Sequence, residues 1–197
     1  PPPGCIRIIA DDERDTLLAA RVAGVTVLDR GEAYYPCDSG SLRILGATLW
    51  TDYAVLGNPA QGMREAAQAI EDHRLITRRG GAPLLPQCAL AEHRLSRAWL
   101  AQRLAEPHNG PTLVVTHHVP HSAARNPTYG TTSLSPAFDS DCDEVIAAAA
   151  KVHVAAWIFG HHHWSQKLEV GGVRLVSAQL GYPGENTAWE GPGILRI

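Results

Sequence analysis

Two short apolar runs, Leu113-Val114-Val115 and Ala156-Trp157-Ile158-Phe159, each stop at a histidine cluster. Thr116-His117-His118 follows the first and Gly160-His161-His162-His163 the second. Short β-type runs halted by polar residues are the pattern of buried strands that deliver the next side chains to a sheet edge. The pattern therefore predicts a sheet with a polar, imidazole-rich end. Neutral imidazole is the commonest metal ligand, and residues two apart beyond a strand face one point while the residue between them faces away. A single cluster is more often a solvated turn or a hydrogen-bonded core histidine. Two clusters after two strands point instead to a shared metal site.

Elsewhere the pattern alternates. A helix is expected over 11–23, with Leu17, Leu18 and Val22 inward and Gly24 ending it, then a β-type run over 25–28. Residues 33–35 and 42–46 predict a hairpin around the turn residues 36–40. From 51 to 107 the texture is helical: Met63, Ala66, Ala67 and Ile70 recur at helical spacing, and Leu90, Leu95, Arg97, Trp99, Leu100 and Leu104 mark a second, longer helix. Arg78-Arg79-Gly80-Gly81 lies in the loop between them and reads as a solvated pair beside glycines. A lone helical histidine, such as His73 or His93, is usually structural or exposed. The polar stretch 122–141 is long for a structureless loop, which marks it as a candidate substrate lid. An Ala-rich helix over 143–152 follows, then a hairpin of 167–170 with 173–177 across Gly171-Gly172, and a last strand near Ile194. Strands alternating with helices and then hairpins give a mixed α/β fold.

At this point the residues resemble a family. Thr116-His117-His118 followed by Pro120, then Gly-His-X-His after an apolar strand some forty residues on, resembles the C-terminal half of the calcineurin-like metallophosphoesterases. The run from Ile44 to Tyr53 and the segment Asp72-His73-Arg74 look like the bacterial branch of that superfamily. The resemblance implies part of a four-layer α/β/β/α sandwich with a helical insertion about 54–107, as a single domain over 1–197 that is incomplete at its N-terminal side. Members usually carry Asp-X-His, Gly-Asp and Gly-Asn-His-Asp/Glu motifs ahead of these, and none of the three occurs here. The third would have to fall at Gly4-Cys5-Ile6-Arg7, where its Asn, His and acid are replaced.

Carried over by position, the resemblance implies His117, His161 and His163 as metal ligands. His118 and His162 become supports behind those ligands, phosphate contacts or packing, with His118 the first to test for a catalytic effect. The implied activity is metal-dependent hydrolysis of phosphomonoesters or phosphodiesters. Its cofactors would be divalent ions such as Mn, Fe or Zn, two in the complete family site. Such ions, about 3.5 to 4 Å apart, activate a water and neutralise phosphoryl oxygens. Three imidazoles suffice for one Zn²⁺-like ion with an open position. The competing expectation is a non-catalytic remnant that binds metal or serves as a structural module. A third is a mononuclear zinc hydrolase of another class with Glu185 or Asp139 as base. Asp52 and Asn186 would shape the site's edge or serve as ordinary turn and cap residues.

Composition narrows the partners. With 45% hydrophobic and 19% charged residues the chain can bury a core, and a net charge of −3 offers no field for nucleic acid or an anionic membrane, so the partner is left to the site, where the resemblance implies a small phosphate ester. Cys5, Cys37, Cys88 and Cys142 form no C-X-X-C pair, which predicts reduced thiols and a cytoplasmic setting. No apolar run reaches the ~20 residues of a membrane helix.

Overall fold

The structure is a computed structural model that describes residues 19, 20, 22–77, 81–185, 189, 191 and 195. Six strands make one sheet in the order β1-β2-β3-β4-β6-β5: β1 Gly31–Cys37, β2 Gly40–Ala47, β3 Thr112–Thr116, β4 Ala156–Ile158, β5 Gln166–Val170 and β6 Val173–Ser177. The four inner strands β2, β3, β4 and β6 run parallel, and the edge strands β1 and β5 are antiparallel hairpin partners. Four helices of the described residues connect them: α1 Pro59–Ala69, α2 Asp72–Leu75, α3 Pro86–Ala105 and α4 Asp143–Lys151. The mixed α/β fold expected from the sequence is therefore present. The described residues supply one sheet and one helical layer of the implied sandwich.

Alternation along the strands decides the layers. Leu45, Val114, Trp157, Val173 and Leu175 face one side and meet Leu100 and Leu104 of α3 and Val145, Ile146 and Ala149 of α4. The opposite face carries Leu113, Ala156 and Val176, with Leu42, Ile44 and Leu195 against them. A groove of about 470 Å³ lies on that second face, where Leu28 sits over Gly46. A Cβ at Gly46 would stand 2.4 Å from Leu28 Cβ, so only glycine lets this segment lie on β2. Residues 25–28 consequently cover the sheet and add no strand to it, contrary to the expectation of a β-type run.

The helices start and stop for local reasons. Asn58 caps α1, its side-chain oxygen accepting from Gln61 N–H at 3.1 Å, and Pro59 and Pro86 occupy the first turns of α1 and α3, where a missing N–H costs nothing. Arg43, buried on β2, reaches the far end of α3 and donates to the carbonyls of Arg103 at 3.1 Å and Glu106 at 3.3 Å. A cation on the last carbonyls satisfies groups the helix leaves open and suits its dipole. Val22, expected inward, is exposed, and Leu95 is half exposed on α3.

His73 and His93 are both buried and structural. His73 Nδ1 donates to Leu84 O at 2.8 Å and its Nε2 accepts from Tyr53 O–H at 3.1 Å, which ties α2 to the turn after β2. His93 Nδ1 donates to the carbonyls of Leu49 and Trp50 at 3.0 and 3.2 Å. Asp52 serves as a turn residue, its Oδ1 accepting from Ala54 N–H at 2.9 Å. Cys37 and Cys142 are free thiols, as the sequence led one to expect of them. Leu17, Leu18, Gly4 to Arg7, Arg78 to Gly80, Asn186 and Ile194 lie outside the described residues.

Candidate active site

Parallel strands end on the same side, and the registers Ala47↔Thr116, Val115↔Ile158 and Ile158↔Val176 make the ends of β2, β3, β4 and β6 level. In open α/β sheets the crevice outside the carboxyl ends is where ligands bind. Both histidine clusters stand there. Backbone bonds extend the ladder past the strands, from His117 N–H to Ala47 O at 3.3 Å and from Gly160 N–H to His117 O at 2.9 Å, so the first residues beyond the sheet are tied to it.

A cavity of about 690 Å³ opens on this edge. His117, His161, His162 and His163 line it, with Asp72 of α2, the 125–139 stretch and Tyr182 and Glu185 from the C-terminal side. His161 Nδ1 and His117 Nε2 approach to 3.1 Å. The His161 ring lies between those of His118, at 4.1 Å between centroids, and Phe138, at 4.9 Å. Its Nε2 is buried with no hydrogen-bond partner. Two imidazole nitrogens that close, one of them on a ring with an orphaned second nitrogen, suit either a shared proton or a shared cation. His163 is engaged differently: its Nδ1 donates to Glu185 Oε2 at 2.7 Å. Among the described residues no three His, Cys, Asp or Glu side chains converge as a metal-binding group. The donor chemistry of His117 and His161 fits a borderline divalent ion, while His163 rests on a carboxylate.

His118 does not line the cavity. It is buried behind His161, with Nδ1 toward Thr48 O at 3.3 Å and the Trp50 ring at 5.0 Å. Its place is that of a support for His161. His162 is a strut: Nε2 donates to Ala124 O at 2.7 Å, Nδ1 accepts from Gln179 Nε2 at 3.0 Å, and its carbonyl accepts from Asn126 Nδ2 at 2.9 Å. Gln179 also accepts from His163 N–H at 3.0 Å, making it the hub of the turn.

The second cluster departs from the extended geometry expected of it. His161 and His163 have φ of 74° and 52°, in the left-handed region that β-carbon sterics disfavour. The i, i+2 pair thus reaches the cavity by a tight turn and not by strand alternation. Leu49, Trp50 and Tyr53, just past β2, are also at positive φ, so five of the seven non-glycine residues at positive φ among the described residues lie at this edge. Such conformations cost of order 1–3 kcal/mol each and collect at functional sites.

Burial holds the imidazoles of His117, His118, His161 and His162 neutral. Burial, then His117, His163 and His162, push His161 down to about 3. Burial takes His162 down to about 4, despite the Ala124 carbonyl. His117 lies below the usual range through burial, partly offset by Asp72, and His118 well below it through burial and the neighbouring imidazoles. Because these folded values lie under the ordinary 6.5, the unfolded chain binds more protons as pH falls from 6.5 toward 4 and 3. Stability is therefore expected to drop across that window, by up to ~1.4 kcal/mol per pH unit for each histidine titrating. Melting temperatures between pH 7 and pH 4 check this, and a flat profile contradicts it.

The 122–141 segment forms a wall of the cavity and is not structureless. Short 3₁₀ turns occur at Ser122–Ala124 and Ser135–Ala137, and Arg125 pairs with Asp139 through Nε at 2.6 Å and Nη2 at 3.1 Å. Burial raises the Asp139 carboxyl even with the guanidinium beside it. Arg125→Ala strands that buried carboxylate and is expected to cost about 3 kcal/mol at neutral pH. Urea denaturation measures it; a loss under about 1 kcal/mol contradicts it. Local patterns gave no sign of Asp72, Arg125, Tyr129 or Tyr182 as cavity residues, although the segments holding three of them stood out. Glu185 was named only as a base for the third expectation.

No family model matches the chain. An uncharacterized protein of Acanthamoeba polyphaga mimivirus is 22% identical over 153 residues, 73% of this chain and 51% of that protein. The crystal structure of phosphopantetheinyl hydrolase (PptH) from Mycobacterium tuberculosis superposes with a TM-score of 0.63 at 16% identity, over 93% of this chain and 70% of that one. The likeness shows the fold. The chain spans about half the length of the curated relative it matches. No described helix is long and apolar enough to cross a membrane.

Proposed function

We propose that the chain belongs to a phosphoester hydrolase of the metallophosphoesterase type, acting on a small phosphate ester. The observation that carries this is the approach of His117 Nε2 and His161 Nδ1 at 3.1 Å beside an orphaned buried nitrogen, on the wall of a 690 Å³ cavity at the carboxyl edge of a parallel sheet. The fold likeness to a hydrolase named for a phosphopantetheinyl substrate supports the same class. His117, His161 and His163 would hold a divalent ion such as Mn²⁺, Fe²⁺ or Zn²⁺, which when bound supplies an activated water and charge neutralisation at phosphorus. The chain's own part is to keep His117 and His161 neutral, as ligation requires, and to brace the site: His118 and Phe138 clamp His161, and His162 and Gln179 fix the turn. The apolar walls at Ile70, Leu134 and Phe138 would take the organic arm of the ester.

A second reading, a non-catalytic module, draws on one specific observation: no three metal-binding side chains converge among the described residues. Metal stoichiometry with Mn²⁺, Fe²⁺ and Zn²⁺, together with hydrolysis of bis(p-nitrophenyl) phosphate and p-nitrophenyl phosphate, separates the two. Metal binding with turnover supports the hydrolase. Absence of both sinks it.

A further inference from the structure

We infer that Glu185 is a positioning residue that clasps the 122–141 wall to His163, fixing the tautomer of that imidazole and closing the cavity rim. This rests on the hydrolase proposal for its effect on activity but not for its geometry. One carboxylate receives donors from three separate places. Oε2 accepts from His163 Nδ1 at 2.7 Å and from Tyr182 N–H at 2.9 Å, and Oε1 accepts from Tyr129 O–H at 3.2 Å, across 56 residues of sequence.

Each consequence follows from that arrangement. With Nδ1 committed as donor, the nitrogen of His163 left with a lone pair is Nε2. The Tyr182 ring stands edge-on to His163 with centroids 4.8 Å apart, limiting ring rotation from the other side. Gly181, at φ +71°, permits the close approach, since a Cβ there would lie 3.0 Å from His163 Cβ and 3.1 Å from Glu185 Oε2. Tyr129 and Tyr182 are 59% and 71% exposed yet both line the cavity, which places them at its rim. The Tyr129 bond therefore joins the tip of one wall to the C-terminal side of the opening.

The alternative role for this carboxylate, a general base touching water or substrate, is separable by Glu185→Gln. The amide is isosteric. Its oxygen still accepts from His163 Nδ1 and Tyr182 N–H, and its NH₂ donates to the Tyr129 hydroxyl oxygen, but it has no basicity. Glu185→Gln and Glu185→Ala are compared with the parent protein, with Mn²⁺ as the added metal and bis(p-nitrophenyl) phosphate as substrate. Hydrogen exchange over residues 122–141 and the ring-nitrogen shifts of His163 are read without metal. The alanine variant is expected to lose about 10–100-fold in kcat/KM, the usual range for removing a residue that orients a metal-binding histidine. It also exchanges faster over 122–141 and mixes the His163 tautomers. The glutamine variant stays within about threefold of the parent and keeps both signatures. Equal losses in the two variants, or unaltered exchange and tautomer in the alanine variant, overturn the inference. If the parent protein shows no turnover, the hydrolase proposal fails, while exchange and nitrogen shifts still decide the clasp.

Discussion

His161→Asn is expected to lower kcat/KM for phosphodiester hydrolysis by roughly 10³-fold or more, about 4 kcal/mol at 1.36 kcal/mol per factor of ten. Asparagine is the informative replacement because residue 161 sits at φ 74°, which Asn tolerates and Ala does not, so the backbone turn survives. What disappears is the nitrogen facing His117 Nε2 and the ring held between His118 and Phe138. Steady-state kinetics with saturating Mn²⁺, together with a thermal melt, make the measurement. A folded variant within tenfold of the parent would remove His161 from the proposed metal site.

Trp157→Ala carries the largest expected loss of stability, about 3–5 kcal/mol. The side chain is fully buried in the centre of the sheet, on the face that meets α3 and α4. Its indole also begins a chain that reaches the site: Nε1 donates to Thr116 Oγ1 at 2.9 Å, and that hydroxyl donates to His118 O at 2.9 Å. Against a total of about 5–15 kcal/mol for a typical domain, the alanine variant spends much of the margin. Trp157→Phe separates the two roles, since it keeps most of the apolar volume and removes only the donor, at about 1 kcal/mol. Urea denaturation of both variants tests this. Equal losses would mean that the hydrogen bond, not the volume, dominates.

The strong local signals in the sequence held up. Residues 31–47 pair as a hairpin, 86–105 form the long helix, and 166–177 pair across Gly171-Gly172, because turn glycines and apolar spacing are local and sufficient there. The position of the histidines at strand ends was equally legible, since an apolar run that stops marks an edge. Geometry inside the edge was not. His161 and His163 meet the cavity through left-handed residues, which tertiary contacts impose and no periodicity announces. Asp72, Tyr129 and Glu185 reach the same cavity from segments far apart in sequence. Val25 to Leu28 has strand composition but lies over Gly46 instead of pairing, which depends on a single missing β-carbon.

The left-handed histidines set stability against the proposed metal site at two named positions. Asparagine or glycine at 161 and 163 relaxes a backbone that β-carbons disfavour, and each such change removes an imidazole from the cavity. A library of this chain sorted for heat resistance alone would accordingly accumulate Gly and Asn at both sites and drift toward a sturdier protein with an empty-handed cavity. Directed evolution of this scaffold therefore needs a ligand or turnover screen from its first round.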